Sequence, residues 1–330
     1  MPKRISVALA TYNGADYIKE QLGSTARQDL PPDELVVCDD SSSDDTIKIV
    51  RDFSEYSPFP VHFEQNGERL GIAGNFEKAI SLCRGDLIFS ADQDDVWFPS
   101  KLRTMRDVFD LDRSIGVAIN DAIVANEDLS IRSHSVMSNM RRARGSEKEF
   151  IWGCCTAITR EFRDLCIPFP TSGFETVGNH DDWFHFVGEV FGVRRIMDQP
   201  LQYYRRHGAN SSDSEAYRRK VSGLQGVLYS YRLLKRYISD GSAHNRVLEE
   251  RLRLIDLLLN RFKETPLHGD SSLAGEQLKR VEDKRAKLER RVAIGNIAGW
   301  RRFTGAVAFL ISGGYRDFRG LKSFLTDVCK

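Results

Sequence analysis

Hydrophobic and polar positions come in alternating blocks through the first 120 residues. Short apolar runs at Ile5–Ala10, Glu34–Cys38, Val61–Glu64, Leu87–Ser90 and Gly116–Ile119 each end at polar residues. This is the pattern of strands buried on both faces. Between them, helix-length patterns cover Ala15–Gln28, Asp44–Glu55, Gly74–Cys83 and Pro99–Asp110, with Asp44 and Ser100 as helix starts. Strand and helix in alternation predict an α/β fold, a mostly parallel sheet flanked by helices. Ligands in such sheets bind beyond the carboxyl ends of the strands. The residues just after each strand are therefore where chemistry is expected.

The pattern then changes. Trp152–Ile158 reads as a further strand, and a helix follows the polar block Gly178–Trp183 through Val190. The basic, irregular stretch Met140–Lys148 predicts a mobile loop. From about residue 214 the chain reads as helical. Leu248, Leu252, Ile255 and Leu259 form one apolar stripe, and Gln277–Val292 reads as a solvated helix or half of a helical hairpin. Two regions are predicted: residues 1–212 as an α/β domain and 213–330 as a helical C-terminal region.

Composition sharpens this division. The chain has 330 residues, 41% hydrophobic, which suits a globular protein with a sizeable core and excludes a disordered chain. Net charge is +1, so no global basic field argues for nucleic acid. The charge is uneven, however. Residues 1–212 hold 24 Lys and Arg against 33 Asp and Glu; residues 213–330 hold 24 against 14. An acidic front suits a cation, and a basic back suits an anionic surface. Cys38, Cys83, Cys154, Cys155, Cys166 and Cys329 form no C-x-x-C pair and read as reduced thiols. The first apolar run is too short for a signal peptide. The uncharged stretch Phe303–Tyr315 has 13 residues, whereas a membrane-spanning helix takes about 20. A cytoplasmic protein is expected, with peripheral contact to the inner face of a membrane. The C-terminal candidate for that contact is Gly295–Lys330, where six Lys and Arg face two Asp and are interleaved with aromatic residues. The alternatives are an ordinary helical subdomain and an oligomer built on the Leu248–Leu259 stripe.

The strand ends carry the candidate chemistry. Asp92-Gln93-Asp94-Asp95 follows an apolar strand directly. Crowded carboxylates repel one another unless a cation sits among them, and Mn²⁺ or Mg²⁺ suits oxygen ligands that also meet phosphates. Asp40, at the mouth of the second strand, is placed to accept a hydrogen bond from a base or ribose. In His180-Asp181-Asp182-Trp183, a carboxylate beside other acids gains proton affinity, which suits Asp181 as a general base. His207 is either a surface residue or an imidazole metal ligand. Neither a dinucleotide glycine motif nor a phosphate-binding P-loop occurs.

Six blocks in order carry a resemblance: Ala10-Thr11-Tyr12-Asn13-Gly14, Val37–Asp44, Asn66-x-x-x-Leu70-Gly71-x-x-x-Asn75-Phe76, Ala91–Trp97, His180-Asp181-x-Trp183 and Tyr204-Arg205-x-His207-Gly208-x-Asn210. Residues 3–212 resemble the family 2 inverting glycosyltransferases of GT-A fold, most closely the bacterial rhamnosyltransferase-type members of polysaccharide and O-antigen pathways. The resemblance implies a nucleotide-sugar donor and a saccharide or lipid-linked saccharide acceptor. Ala10, Tyr12, Asp40, Asn66 and Asp92 would bind the donor nucleotide. Asp94, as the main carboxylate of a DxD motif, and His207 would hold Mn²⁺ or Mg²⁺. Asp181 would be the catalytic base, and Trp183 would shape the acceptor pocket, with Asp95, His180 and Asp182 as supporting candidates. Where such members often carry a first Trp after the His-Asp pair, this chain has Asp182. A sugar-nucleotide pyrophosphorylase and a non-catalytic scaffold of a polysaccharide assembly complex are the alternatives. The first lacks its glycine-rich basic loop here, and the second would have lost the carboxylates that this chain keeps.

Overall fold

A computed structural model of the chain describes residues 2–144, 153–170, 180–208, 210, 241–267, 271–318 and 320–328. Its strands are β1 (Ile5–Thr11), β2 (Glu34–Asp39), β3 (Val61–Gln65), β4 (Leu87–Asp92), β5 (Val96–Trp97), β6 (Val117–Ala125), β7 (Ile131–Ser133), β8 (Thr156–Thr159) and β9 (Arg194–Arg205). They form one sheet in the order β3-β2-β1-β4-β8-β6-β9-β5, with β7 added on β6. Its helices are α1 (Ile18–Ala26), α2 (Thr46–Tyr56), α3 (Gly71–Leu82), α4 (Lys101–Leu111), α5 (Val136–Arg144), α6 (Arg160–Cys166), α7 (His180–Phe191), α8 (Gly241–Glu264), α9 (Ser271–Gly295), α10 (Gly299–Ile311) and α11 (Leu321–Val328).

The α/β architecture matches the sequence pattern, with a mixed sheet. β3, β2, β1 and β4 run parallel, as do β6 and β9. β8 enters antiparallel between β4 and β6, and β5 and β7 also pair antiparallel. Register sets the strand ends level: Ala10 pairs with Cys38 on one side and Asp92 on the other, and Thr11 with Asp39. One edge of the sheet thus gathers the polar residues that end three strands.

Alternation along β1 sends Ile5, Val7 and Leu9 to one face, where they pack with Ile18, Leu22, Phe53 and Phe109 of α1, α2 and α4. Ala8, with Val36 and Ile88, faces α3, α6 and α7 on the other side. This second cluster continues without a break into the C-terminal helices through Leu254, Ile255, Leu258, Val281 and Leu288. Phe191 of α7 meets Phe262 of α8 with ring centroids 5.0 Å apart.

Several boundaries differ from the sequence reading. α1 begins at Ile18 rather than Ala15, and α3 begins at Gly71 rather than Gly74. The expected strand at Trp152–Ile158 becomes a short 3-10 turn at Gly153–Cys155 followed by β8, with Trp152 outside the described residues. The expected loop at Met140–Lys148 is helical as far as Arg144, and residues 145–148 lie outside the described residues. β9 was not expected because its sequence mixes charges with Pro200. Pro200 pairs with Asp121 where the β6–β9 register shifts, a place where a missing N–H is tolerated.

α8 and α9 form the helical hairpin expected from Gln277–Val292. The Leu248–Leu259 stripe is spent inside the chain: Leu248 and Ile255 are buried, and Leu252 and Leu259 pack against the same core. That face is therefore not available to build an oligomer. Five of the six cysteines are free and buried; Cys329 lies outside the described residues. Among the described residues, no helix is long and apolar enough to cross a membrane.

Candidate active site

The ends of β1 and β2 build the first wall. Asp39 is fully buried and belongs to the turn: it accepts hydrogen bonds from Thr11 Oγ1 at 2.8 Å, Ser42 N at 2.8 Å and Ser42 Oγ at 2.6 Å. Asp40 is also buried. Its Oδ1 accepts from Asn66 Nδ2 at 3.0 Å and Leu70 N at 2.7 Å, and its Oδ2 from Gly71 N at 2.9 Å. The carboxylate thus meets the N-terminus of α3, where unpaired N–H groups and the helix dipole favour negative charge. This explains why α3 starts three residues earlier than its apolar pattern suggests. Asn66 also donates to Asn75 Oδ1 at 2.9 Å and accepts from Lys78 Nζ at 2.9 Å. Tyr12 stays at the surface, 37% exposed, with the Arg69 guanidinium 3.7 Å above its ring. Its backbone is locked to Gln93 by two 2.9 Å hydrogen bonds, one in each direction. Gly14 leaves room for that glutamine, since a Cβ there would fall within 2.3 Å of two Gln93 side-chain atoms.

The end of β4 builds the second wall. Asp94 Oδ2 receives His207 Nε2 at 2.8 Å and Asn210 Nδ2 at 3.0 Å. His207 packs on the Tyr17 ring with centroids 4.4 Å apart. Burial and the negative charges of Asp94 and Asp181 push the Asp92 carboxyl up to about 7. Residues 92, 94 and 181, distant in sequence, therefore share one electrostatic neighbourhood. Asp95 is fully buried beneath them, accepting from Gln202 Nε2 at 2.6 Å and Arg205 N at 3.3 Å. Burial, then Asp94 and Asp92, raise its carboxyl well above the usual range.

α7 supplies the third wall. Asp181 and Asp182 lie half-buried in its first turn, and Asp181 Oδ1 accepts Asp182 N at 2.9 Å. His180 is buried, stacked on Phe76 at 3.9 Å, and burial lowers its imidazole from the usual value. Trp183 does not face this site. It is 1% exposed, and its indole N–H donates to the Cys166 carbonyl at 2.9 Å in the core. Its spacing on α7 points it inward, two positions after Asp181 points out.

Two residues of structural weight had no assigned role in the sequence reading. Arg205, buried, donates to the Asp94 carbonyl at 2.9 Å and to the Glu127 carbonyl at 2.7 Å, and pairs with Glu20 at 2.9 Å. Lys101 is a fully buried cation that donates to Cys154 O at 2.9 Å and to Gln202 Oε1, and lies 4.0 Å from the Trp97 ring centroid. Both brace the loop that holds Asp92, Asp94 and Asp95. Arg205 was visible in the Tyr204-Arg205-x-His207 block. Lys101 was hidden because a lysine in a first helical turn reads as solvated.

The residues fit a hard divalent cation. Asp94 Oδ2 and His207 Nε2 share a hydrogen bond at 2.8 Å, which a cation held by the same two atoms would replace. Asp92, Asp95 and the Cys154 sulfur also converge within 4.8 Å. Cys154 is held as a thiol, its proton affinity raised by Cys155 and by burial, so the oxygen donors are the better ligands. Beside His207 a cleft of about 940 Å³ opens along Asn126, Glu127, Arg132, Arg206 and Asn210.

The mixed α/β sheet with flanking helices, an acidic strand end and carboxylates at the start of α7 is a fold of GT-A type. Residues 6–165 match Glycosyl transferase family 2, so the chain carries a domain of that family and is a glycosyltransferase. An uncharacterized glycosyltransferase of Nostoc sp. is 26% identical over 64% of this chain and 68% of its own length. The dTDP-rhamnosyl transferase RfbG of Shigella flexneri is 26% identical over 64% of this chain and 77% of its own. Among solved structures, S. aureus TarS in complex with UDP-GlcNAc aligns over 94% of this chain and 92% of that chain, at 16% identity and a TM-score of 0.49.

Proposed function

We propose that the chain is a metal-dependent inverting glycosyltransferase that moves a sugar from a nucleotide-diphosphate donor to a saccharide acceptor. The observation that carries this reading is the approach of His207 Nε2 to within 2.8 Å of Asp94 Oδ2, beside an Asp92 that feels Asp94 and Asp181. In this reading Ala10, Tyr12, Asp40 and Asn66 serve the donor nucleotide. Asp92 meets its ribose or the metal, and Asp94 and His207 hold the metal. A bound Mn²⁺ or Mg²⁺ would supply Lewis-acid neutralisation of the departing diphosphate. Asp181 accepts the proton of the acceptor hydroxyl as that oxygen attacks the anomeric carbon from the face opposite the leaving group. A single displacement inverts that centre without a covalent intermediate, unlike a retaining hydrolase. Arg205 and Lys101 hold the carboxylate loop in place, so little reorganisation is needed at the moment of transfer.

The donor is dTDP-rhamnose or a UDP-sugar, and the product belongs to a cell-surface polysaccharide. The likeness to RfbG supports the rhamnosyl option. We place the acceptor on a lipid carrier and the C-terminal helices against an anionic bilayer on the cytoplasmic side. Support for that contact comes from α10, whose exposed side is apolar: Trp300 is 74% exposed, Phe303 39% and Ile311 82%, at helical spacing. Arg301 lies on the same exposed surface, and Arg302 follows it in the first turn of the helix.

The test is a thermal-shift panel with UDP, dTDP, GDP and CDP, each with and without Mn²⁺, on wild type and Asp94→Ala. A ligand that binds only the folded state raises Tm. The expected result is a Mn²⁺-dependent rise with one nucleotide, abolished in the variant. No rise with any nucleotide would overturn the donor reading.

A further inference from the structure

A second cavity, of about 400 Å³, lies between α7, the start of β9, α9 and the turn after α10. Arg194, Arg280 and Arg316 line it. So do three carboxylates, but each of those already has a lysine. Glu189 accepts from Lys284 at 3.0 Å, and Asp283 and Asp317 both accept from Lys287. The arginines are held less closely: Glu189 acts on Arg194 only at longer range, and Arg280 and Arg316 stand at the exposed rim. Arg194 is half-buried, while Arg280 and Arg316 reach in from the exposed rim.

The backbone makes room for this arrangement. Gly192 has φ +74° and closes α7; a Cβ there would lie 2.5 Å from the Arg280 guanidinium carbon. A side chain there would crowd the guanidinium and require it to shift. The cavity is also shielded from water enough to matter. Burial lowers the Arg194 guanidinium despite Glu189, and burial with the nearby Arg251 and Arg280 lowers Lys284 despite its partner Glu189. Like charges gathered in a partly shielded hollow are costly unless an anion offsets them.

The place is distinct from the donor site. β9 runs from Arg194 at the cavity to Arg205 beneath Asp94. At about 3.3 Å per residue that is on the order of 30 Å.

We propose that this cavity is an anion site that takes a phosphate-bearing ligand. Guanidinium forks suit phosphate oxygens, and three of them line this cavity. The volume exceeds what one phosphate needs, which suits a phosphorylated small molecule or a lipid phosphate headgroup.

Titration calorimetry in chelator, without divalent metal, tests it with inorganic pyrophosphate as the free probe. Flotation with vesicles of phosphatidylglycerol and phosphatidylcholine probes the headgroup. The proteins are wild type, the double variant Arg280→Ala/Arg316→Ala, and Asp94→Ala. Both arginines are exposed, so the double variant keeps the fold. The expected result is binding by wild type and by Asp94→Ala, weakened about tenfold or more in the double variant, as befits lost charged hydrogen bonds. Pyrophosphate binding lost in the double variant assigns a free ligand. Vesicle capture lost there assigns a headgroup. Binding that the double variant keeps, or that Asp94→Ala loses, overturns the proposal, as does no binding of either probe. Vesicle capture kept by the double variant runs through α10 and counts against the cavity. Because the Asp94→Ala arm reads the donor site alone, either reading can fail without the other.

Discussion

Two acidic regions of this molecule behave in opposite ways. At the end of β4, Asp92, Asp94 and Asp95 crowd together, and burial with mutual repulsion raises Asp92 and Asp95 above their ordinary values. Under the C-terminal helices, Asp327 is as deeply buried but surrounded by donors. Arg291 donates to both its oxygens at 2.9 Å, His244 Nε2 stands at 2.9 Å, and Tyr315 Oη donates at 2.9 Å. Burial alone would raise the Asp327 carboxyl, yet hydrogen bonds from His244 and Arg291 outweigh it and hold it below the usual carboxylate range. In the first arrangement the carboxyls bind protons more tightly than usual, and a cation in place of those protons would relieve the repulsion. The second spends its charge on holding helices together. Compensation, rather than burial, separates a site from a structural pair.

The largest effect that sharpens this contrast is on rate. Asp181→Asn keeps shape but removes the base, and kcat is expected to fall by about 10²–10⁴. Nucleotide-induced stabilisation should stay at its wild-type size, because the donor residues are untouched. A variant that loses nucleotide binding as well would move Asp181 from base to donor ligand. The mirror experiment is Asp327→Asn. It strands Arg291, itself buried, so urea unfolding should show a loss of about 3–5 kcal/mol. Its pH dependence has a definite sign. A carboxyl with a depressed folded pKa stabilises above its unfolded value of about 3.9 and loses that contribution as pH falls through the folded one. Wild type should therefore weaken steeply below about pH 4, and Asp327→Asn should lose this part of the slope. An unchanged slope would mean that the network does not hold the helices.

How much of this was legible in the sequence follows from the same contrast. The donor edge could be read because parallel strands are short apolar runs, and whatever ends them must be polar and close together in space. Asp40, Asn66, Asp92 and Asp94 are candidates on that ground, and Asp181 and His207 join them through the motif order. The depth of each residue was not legible. Trp183 looks like a pocket wall when written beside Asp181, but the helical turn sends it into the core at 1% exposure. Arg205 braces the acidic loop across 111 residues, and Lys101 ties the neighbouring helix start to Cys154 across 53. No local pattern encodes contacts of that range. β9 escaped because its partners, not its own propensity, make it a strand. In the C-terminal region the apolar stripe was legible, but not that it folds back onto α7.

A smaller effect tests what Asp40 does. Its oxygens accept two backbone N–H groups at the start of α3 and the Asn66 amide. Asp40→Asn turns one acceptor into a donor facing those groups. The expected cost is about 1–3 kcal/mol in the absence of any nucleotide, the range for leaving a buried donor unsatisfied. If stability is unchanged and only nucleotide affinity falls, the residue belongs to the base pocket alone.

The smallest change to the folded molecule is expected at α10. Trp300 is 74% exposed and Ile311 82%, so truncating them removes little that folding buries. The double variant Trp300→Ala/Ile311→Ser should unfold within about 0.5 kcal/mol of wild type. The helix is apolar on its inner side as well, where Ala306 and Phe309 pack beside Tyr315. Folding therefore buries one face and leaves Trp300 and Ile311 exposed among the described residues. At an anionic bilayer, burying these two side chains contributes about 1.5–3 kcal/mol for each one fully removed from water. Flotation with phosphatidylglycerol vesicles should then fall by tenfold or more, while transfer to a water-soluble acceptor keeps its wild-type rate. Should flotation persist and a wild-type dimer instead dissociate in this variant, the face would belong to a second copy of the chain. The contrast between the regions would then be one of assembly rather than of membrane contact.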